Sequence, residues 1–369
     1  MPEIEGITSL RSMPTGLTTG IILARAMTNN GFSARSGRVL LAGGSGYIGL
    51  PLARRLTEIG RPVRIFDRLV YNHGSAALAL MADTDTEFVF GDMGDVTERA
   101  LDGVTDVVIL AGLVGDPITK KFPRESQTIN EEALRRFIDR LDRRGLNKVV
   151  FISTCSNYGM ISDSEVAHEG FALNPLSLYA KAKVRAEQYL LSLEGQVDYH
   201  VTVLRFATAF GLAPRMRFDL TVNEFTRELF LGRELIVYDA DTWRPYCHVR
   251  DFARLIQRVL DAPPDVVSFE VFNGGGDTNN LTKRQIVEML LEHVPEGRVV
   301  YRQNSADRRN YRVDFSKVRE RLSFEPKFDV AYGITEIIGA LRSHLLSDVD
   351  ARPSFYGNCE LPGLANAAW

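Results

Sequence analysis

The stretch RVLLAGGSGYIGLPLARRLTEIGRPVRIFD, residues 38–67, decides the fold. RVLLA is an apolar run of strand length, the segment from Tyr47 to Gly60 has the spacing of a helix, and PVRIFD is a second strand-sized apolar run. Strands that are apolar along their whole length are typical of a parallel sheet covered by helices on both faces. The stretch therefore predicts a strand–helix–strand unit whose two strands lie parallel.

The same alternation continues along the chain. EFVFGD, DVVILAG, KVVFIST and VTVLRF read as further strands, and INEEALRRFIDRLDRRG and a segment near 176–194 read as helices. After about residue 212 the elements become shorter and mixed, and FEVFNGGG is a segment that could return a strand to the main sheet. The pattern predicts an α/β fold: a doubly wound parallel sheet with a smaller mixed α/β lobe at the C-terminal side.

These changes of pattern divide the chain into four predicted parts. Residues 1–37 do not fit the alternation, and we expect an arm that packs on the domain or on a partner subunit, with disorder as the alternative. Residues 38–211 are predicted to form a dinucleotide-binding domain, with the returning strand near 268–276. Residues 212–345 are predicted to be mainly a substrate-binding lobe, and residues 346–369 a C-terminal tail.

Composition excludes several classes of function. A net charge of -3 argues against nucleic acid or an anionic membrane as a partner, since both need a strongly basic surface. Cys155, Cys247 and Cys359 lack the spacing of metal ligands, so neither a disulfide framework nor a metal site is expected. Because the apolar runs are strand-sized and the first residues lack a basic segment before a long apolar one, we expect a cytoplasmic protein.

Gly43, Gly46 and Gly49 follow the first strand within GGSGYIG. Glycine at such positions lets the chain turn tightly, lets the backbone approach a pyrophosphate and lets the following helix pack close to the strand. Asp67 ends the second strand, where a carboxylate hydrogen-bonds ribose hydroxyls and repels a 2′-phosphate. The motif predicts a Rossmann-type domain that binds NAD rather than NADP, although the neighbouring Arg68 could accept that phosphate.

GDMGD, residues 91–95, ends the third strand. Asp92 offers a carboxylate for the adenine amino group and Met93 a side chain to line the ring. A turn at the end of the strand is the simpler explanation of these two residues taken alone.

SLYAKAK, residues 177–183, places Tyr179 and Lys183 on one face of a predicted helix, whereas Lys181 points elsewhere. A free tyrosine ionises near about pH 10, and a nearby ammonium and an oxidised nicotinamide would both lower that pKa. The pair predicts a base that takes a proton from a sugar or alcohol hydroxyl while hydride leaves the same carbon, with Lys183 also holding the nicotinamide ribose. A chance pairing is the alternative, and the position behind a nucleotide-binding sheet argues against it.

The motifs GGSGYIG, GDMGD, LAGLVGDP, STCSNYG, YAKAK and RPYCHVRD occur in this order. Together with Asp67 and the Thr128-Ile129-Asn130 entry to a helix, they resemble the extended short-chain dehydrogenase/reductase family, and within it the NAD-dependent nucleotide-sugar epimerases and dehydratases. The resemblance covers residues 38 to about 345 and implies a homodimer. It implies that NAD contacts Gly43, Gly46, Tyr47, Ile48, Gly49, Asp67, Asp92, Met93, Ala111, Gly112 and Lys183.

The resemblance also implies the substrate and the catalytic residues. The family's catalytic hydroxyl lies four residues before the tyrosine of its S/T-x-x-x-Y-G motif, which makes it Thr154 here, beside Tyr179 and Lys183. Thr154 would hydrogen-bond the reacting oxygen of a nucleotide-diphosphate sugar, and a threonine that caps the strand end is the alternative.

Three further residues match the places where the family binds the substrate. Arg244 and Arg309 would hold its phosphates, and Asn223 is a candidate phosphate or sugar contact. Thr208 stands where the family commonly has an asparagine, which leaves the identity of the sugar open.

Cys155 and Ser156 follow the proposed hydroxyl. Sugar 4,6-dehydratases of the family typically carry Asp and Glu at these positions, and the decarboxylating relatives typically carry a Glu in this segment. With neither acid present, the resemblance favours a 4-epimerase over a dehydratase or decarboxylase. A 4-ketoreductase or dehydrogenase would use the same residues and stays an alternative, as does a non-catalytic NAD-binding protein. Cys155 has no histidine near it in sequence, so we expect a small buried filler rather than a nucleophile.

Overall fold

The structure is a computed structural model that describes residues 37–141, 145–304, 307 and 309–362. Except for Gly37, the predicted arm lies outside this part of the chain. The strands of the described residues are β1 Arg38–Ala42, β2 Val63–Asp67, β3 Thr86–Phe90, β4 Val104–Ile109, β5 Lys148–Thr154, β6 His200–Phe206, β7 Thr208–Phe210, β8 Leu235–Tyr238, β9 Trp243–His248, β10 Glu270–Gly274, β11 Asn280–Thr282 and β12 Val299–Arg302.

In the described part of the chain, seven of these strands form one sheet in the order β3-β2-β1-β4-β5-β6-β10. Every neighbouring pair is parallel. Successive residues of β1 show why this sheet is buried on both faces: Val39 and Leu41 belong to one apolar core, and Leu40 and Ala42 belong to the other. The predicted doubly wound parallel sheet is therefore confirmed, and the FEVFNGGG segment returns to its edge as β10.

Helices cover both faces of the sheet. The helix α7 begins after Ser177, whose hydroxyl accepts a hydrogen bond from the N–H of Ala180. A π-helical turn, Thr128–Ala133, connects α5 to α6. The helices of the described residues are α1 Gly49–Glu58, α2 Gly74–Asp83, α3 Glu98–Leu101, α4 Asp116–Lys121, α5 Pro123–Gln127, α6 Leu134–Arg140, α7 Leu178–Leu191, α8 Thr221–Phe230, α9 Val249–Asp261, α10 Pro264–Val267, α11 Lys283–His293, α12 Ser316–Leu322 and α13 Val330–Arg342.

A smaller lobe follows the main sheet, as expected from the change of pattern. It contains a three-stranded sheet, in which β9 pairs with β11 antiparallel and with β7 parallel, and a pair formed by β8 and β12. The helices α8, α11 and α13 pack on these strands around a separate apolar core. The helix α9 lies within the same range of sequence but joins the main domain instead, because Phe252 stacks on Phe206 of β6 with ring centroids 3.8 Å apart.

The segment predicted as a C-terminal tail packs on the protein as far as the structure describes it. Phe355, Tyr356 and Leu361 are buried. The N–H of Phe218 donates to the carbonyl of Tyr356 at 2.7 Å. No helix in the described part of the chain has both the length and the apolar character that a membrane crossing requires.

A buried ion pair connects the main sheet to α7. Arg205 of β6 and Glu187 of α7 are 5% and 1% exposed, and the guanidinium donates to Glu187 Oε2 from Nη2 at 2.8 Å and from Nε at 3.0 Å. The other carboxylate oxygen, Oε1, accepts from Ser153 Oγ and from Asn157 Nδ2, which lie on either side of Thr154. The pair therefore attaches α7 to the end of β5.

We expect Glu187→Gln to lower the free energy of unfolding by about 3–5 kcal/mol, because it leaves the buried Arg205 guanidinium without a neutralising charge. Glu131→Gln is the matched control. Glu131 makes an exposed ion pair with Arg185, which lies on α7 as Glu187 does. Removing that pair should lower the free energy of unfolding by no more than about 1 kcal/mol. Denaturation by urea measures both values, and equal costs would contradict the role given to the buried pair.

Candidate active site

One cavity runs along the carboxyl ends of the main-sheet strands and reaches the smaller lobe. It brings together residues predicted for the cofactor, the catalytic step and the substrate phosphates, which come from distant parts of the sequence. The predicted site residues that line it are Gly43, Gly46, Tyr47, Ile48, Gly49, Asp67, Asp92, Met93, Ala111, Gly112, Thr154, Tyr179, Lys183, Arg244 and Arg309.

The glycine loop has no room for side chains at two of its positions. Gly43 has a φ of +80°, and a Cβ atom added to it would lie 2.6 Å from the backbone nitrogen of Ala111. A Cβ on Gly49 would lie 2.4 Å from the carbonyl oxygen of Gly44. The loop thus lets β1, the segment after β4 and the start of α1 meet closely, which leaves the N-terminus of α1 open to the cavity. The cradle fits a dinucleotide pyrophosphate.

Asp67 is anchored at the end of β2. Its Oδ2 accepts from the N–H of Ser45 at 2.9 Å, and its Oδ1 accepts from the N–H of Leu69 at 2.8 Å. Burial on its own raises the pKa of Asp67, but His73 and these backbone donors outweigh it, and the pKa lies below its usual value. An ionised carboxylate in this place suits ribose hydroxyls and disfavours a 2′-phosphate.

Arg68, which could have favoured such a phosphate, pairs with Asp92 instead. Asp92 also accepts from the N–H of Gly94 at 2.8 Å, which is the turn at the strand end that the sequence suggested. Its carboxylate and the buried Met93 nevertheless line the cavity, so their contacts with adenine stay a prediction.

Asn130 shapes the loop after β4, and its role was not predicted beyond its place in a motif. Its Oδ1 accepts from the N–H of Leu113 at 2.7 Å, and its Nδ2 donates to the carbonyl of Leu113 at 3.0 Å. A Cβ on Gly112, whose φ is +145°, would lie 2.7 Å from Asn130 Oδ1. Asn130 therefore fixes the wall of the cavity that carries Ala111 and Gly112.

Thr154 ends β5 at the cavity, where its Oγ1 accepts from the N–H of Ser156 at 3.1 Å. Ser156 lines the cavity too, and its hydroxyl lies 3.3 Å from that of Tyr311. Cys155 is fully buried and donates to the carbonyl of Arg205 at 3.1 Å, and burial raises the pKa of its thiol. The thiol is thus held as an uncharged packing group, which does not suit a nucleophile.

Lys183 lies one turn after Tyr179 on α7 and is 5% exposed. Its Nζ donates to the carbonyl of Ile152 at 2.8 Å and lies 5.9 Å from the centre of the Tyr179 ring. Burial lowers the pKa of Lys183 to about 8, and Glu187 opposes that shift. The ammonium is therefore retained below about pH 8.

Tyr179 is not poised as a base by the chain alone. Burial raises the pKa of its hydroxyl above the usual value, and the charge of Asp116 adds to that shift, whereas Arg217 and Arg309 oppose it. The lowered pKa expected from the sequence counted an oxidised nicotinamide as well as Lys183, so it stays a prediction for the site with its cofactor bound. A lower pKa requires positive charge beyond that of the described residues, such as an oxidised nicotinamide.

Asp116 is a carboxylate that the sequence analysis missed. It is the first residue of α4, and its Oδ2 lies 2.8 Å from Nη1 of Arg309. Among the described residues its Oδ1 has no hydrogen-bond partner, although it is buried. Asp116 follows the strand-ending motif LAGLVG, and polar residues after such strands gather at one edge of a parallel sheet, so its position could have been noticed.

The two predicted phosphate-binding arginines are both tied to Asp307. Arg309 donates to it from Nε and Nη2 at 2.7 Å each, and also donates to Ser156 Oγ at 3.1 Å. Arg244 donates to Asp307 Oδ2 at 3.2 Å and lies over the ring of Tyr311. Both guanidiniums line the cavity, and Arg309 also lies beside the end of β5 through its hydrogen bond to Ser156.

Asn223 is not brought to the cavity. It is fully buried, and its Oδ1 accepts from the N–H of Gly211 at 3.0 Å. Its Nδ2 donates to the hydroxyl of Tyr47 at 2.9 Å and to the carbonyl of Arg217 at 2.8 Å. Because its amide is used by the protein, Asn223 shapes the wall that carries Tyr47 instead of offering a free group to a ligand.

Further cavity residues come from segments that carried no predicted role. They are Tyr71 and His73 after β2, Arg215 and Arg217 in the segment APRMRF, Lys283 at the start of α11, and Asn358 near the C-terminus. No group of three or more His, Cys, Asp or Glu side chains that could hold a metal ion occurs among the described residues.

Comparison with known proteins connects the chain to one family. The family model described as "NAD dependent epimerase/dehydratase family" matches residues 39–275. A dTDP-glucose 4,6-dehydratase of Streptomyces niveus is 28% identical over 317 residues, which are 82% of this chain and 91% of that protein. UDP-arabinose 4-epimerase 1 of Arabidopsis thaliana is 30% identical over 329 residues, which are 78% of this chain and 75% of that protein.

Among solved structures, MoeE5 in complex with UDP-glucuronic acid and NAD superposes with a TM-score of 0.74. It is 25% identical, and the match covers 84% of this chain and all of that one. The relatives thus include both epimerases and dehydratases, so similarity alone does not separate the two reactions.

Gly43→Ala is expected to weaken NAD binding by about tenfold or more, because the new methyl group would push the glycine loop away from Ala111. Gly60→Ala is the matched control. Gly60 has a similar φ of +76°, but nothing lies within 4 Å of its added Cβ, so this variant shares the backbone strain without the crowding. Calorimetric titration with NAD compares the two, and wild-type affinity in Gly43→Ala would contradict the shape given to the loop.

Proposed function

We propose that this chain, which belongs to the NAD-dependent epimerase/dehydratase family, is a nucleotide-sugar 4-epimerase. The proposal rests on one observation: Thr154, Tyr179 and Lys183 line the same cavity as the glycine loop. The two residues that follow Thr154 have uncharged side chains. A 4-epimerase needs such an arrangement, since it oxidises and reduces the same carbon without removing water.

Bound NAD supplies a hydride acceptor and, once reduced, a hydride donor. Tyr179 takes the proton of the C4 hydroxyl during oxidation and returns it during reduction, and the Thr154 hydroxyl hydrogen-bonds the same oxygen. Lys183 holds positive charge near Tyr179 and would hold the nicotinamide ribose of the bound cofactor. The 4-keto sugar rotates between the two steps and takes hydride on the opposite face, which inverts C4.

Dehydration needs more than this set of residues. Water loss across C5 and C6 requires a base at one carbon and an acid for the departing hydroxyl, and Cys155 and Ser156 supply neither. Asp116 is a carboxylate at the same cavity, but its charge is paired with Arg309 and it has no acidic partner on the Thr154 strand end. Because Asp116 is a single carboxylate paired with Arg309, we assign it a role in orienting the sugar rather than in eliminating water.

The substrate class follows from the cations at the far end of the cavity. Arg244 is 6% exposed and faces the cavity beside Arg309 and Lys283. Guanidiniums suit a diphosphate because their planar fork donates two bonds at once. We therefore assign a nucleotide-diphosphate sugar as substrate.

The experiment that tests the proposal uses a panel of UDP- and dTDP-sugars, each with deuterium at C4, and product analysis by NMR and mass spectrometry. A 4-epimerase gives a product of unchanged mass that keeps the deuterium at an inverted C4, without net formation of NADH. A product lighter by one water, with the C5 hydrogen exchanged against solvent, would identify a dehydratase. Stoichiometric consumption of NADH on a keto sugar would identify a ketoreductase.

Tyr179→Phe and Lys183→Met are expected to lower kcat by about 10²- to 10⁴-fold, because each removes a group that handles charge at the reacting oxygen. Lys181→Met is the matched control, since Lys181 is exposed on the same helix and should leave kcat unchanged. Initial rates on the identified sugar measure all three variants. Near-normal turnover by Tyr179→Phe would contradict the acid–base role given to Tyr179.

Asp116→Asn is expected to move the acidic limb of the pH profile of kcat/KM toward lower pH by about one unit. Burial raises the pKa of Tyr179 most and Asp116 raises it next. Removing the Asp116 charge also leaves Arg309 with one carboxylate partner, Asp307, instead of two, so both changes favour the phenolate. Asp83→Asn, an exposed residue paired with Arg54, is the control and should not move the limb. A shift toward higher pH would contradict this electrostatic coupling.

A further inference from the structure

The C-terminal segment, residues 355–361, crosses the cofactor side of the cavity. Asn358 lines the cavity and donates from Nδ2 to the carbonyl of Val114 at 2.9 Å. Its backbone N–H donates to Asp219 Oδ2 at 3.2 Å. Leu361 packs against Tyr71 and other residues beside the loop after β4. The C-terminal segment therefore joins the dinucleotide-binding domain to the segment that precedes α8.

Asn358 also holds Arg215 in place. Nη2 of Arg215 donates to Asn358 Oδ1 at 2.8 Å and to the carbonyl of Gly357 at 3.4 Å. The guanidinium lies over the ring of Tyr71, 4.6 Å from its centre. Arg215 and Tyr71 are 3% and 7% exposed, and both face the cavity.

These two side chains carry buried donors without a partner. In the described part of the chain, Nε of Arg215 and the hydroxyl of Tyr71 make no hydrogen bond. Leaving such donors unsatisfied costs about 1–3 kcal/mol each, and more for a charged group. Two of them side by side at one cavity wall indicate a ligand that accepts hydrogen bonds.

The charges indicate that this ligand is an anion. Burial and, after it, the neighbouring Arg217 together lower the pKa of Arg215 to about 10. Arg217 is neutralised by Asp219, with which it makes two hydrogen bonds, at 3.0 Å and 2.6 Å. Arg215 donates to neutral oxygens only in the contacts described above, so a bound anion would relieve the cost of burying its charge.

The position of Arg215 and Tyr71 in the cavity indicates which anion they would bind. Arg215 interacts electrostatically with Asp67, the carboxylate at the ribose position, and Tyr71 follows β2 directly. The phosphate-binding candidates for the sugar nucleotide, Arg244 and Arg309, instead pair with Asp307 of the smaller lobe. Arg215 and Tyr71 thus belong to the dinucleotide side of the cavity.

We propose that Arg215 and Tyr71 bind the pyrophosphate of NAD from the wall opposite the glycine loop, and that Asn358 positions Arg215 for this contact. The inference rests on the cofactor of the proposed function and adds a second binding wall to it. It also gives the C-terminal segment a role, because Asn358 must stay docked for the arginine to reach the phosphates. A cofactor held on two sides suits a reaction in which NAD is regenerated within each cycle.

Tyr71→Phe, Arg215→Met and Asn358→Ala test the proposal, with the exposed Arg54→Met as control. Each test variant is expected to bind NAD about tenfold more weakly by calorimetric titration and to lose thermal stabilisation by inorganic pyrophosphate, while its affinity for UDP changes less than about twofold. Tyr71→Phe removes only an oxygen that makes no bond within the described protein, so its folding should be unaffected even if Arg215→Met is unstable.

Two outcomes would overturn the proposal. Wild-type NAD affinity in Tyr71→Phe and Asn358→Ala would show that this wall does not contact the cofactor. Loss of UDP affinity with normal NAD affinity would assign the same donors to the diphosphate of the sugar nucleotide. Because no turnover is measured, a failed epimerase assay does not affect either result.

Discussion

The candidate active site depends on the buried ion pair between Glu187 and Arg205. Burying two charges is costly, and only close geometry with further hydrogen bonds compensates for it. Glu187 meets this condition, since it accepts from Arg205 and from side chains on both sides of Thr154. The same carboxylate lies one turn after Lys183 and two turns after Tyr179 on α7. One interaction thus sets the position of the helix relative to the strand end, and with it the three groups proposed to act on the sugar.

The fold could be predicted because its signals are local. The apolar run of β1 and the glycine loop after it require a buried parallel strand and a close helix, and no distant residue changes that requirement. The assignment of α9 to the smaller lobe could not be corrected from the sequence. Its amphipathic pattern shows that one face is buried, but only the contact of Phe252 with Phe206 shows that the buried face lies on the main sheet.

Site residues within sequence motifs could likewise be predicted, whereas those that only the fold brings to the cavity could not. Thr154, Tyr179 and Lys183 lie in motifs with fixed spacing, and the structure brings all three to one cavity. Asn358 reaches that cavity from a distant segment near the C-terminus whose spacing has no chemical meaning on its own. Asn223 illustrates the opposite case, because its place on a helix near the substrate lobe does not indicate whether its amide is already hydrogen-bonded within the protein, as the structure shows it to be.

Electrostatic balance decides how this site can act. Burial raises the pKa of Tyr179 and lowers that of Lys183, so it disfavours the charged form of each group. An oxidised nicotinamide bound here would add positive charge that favours the phenolate, and its reduced form would not. Under the proposed function, Tyr179 would then be the stronger base beside the oxidised cofactor and the stronger acid beside the reduced one. The proposed reaction, in which Tyr179 first accepts and later returns the same proton, would use this coupling in both directions.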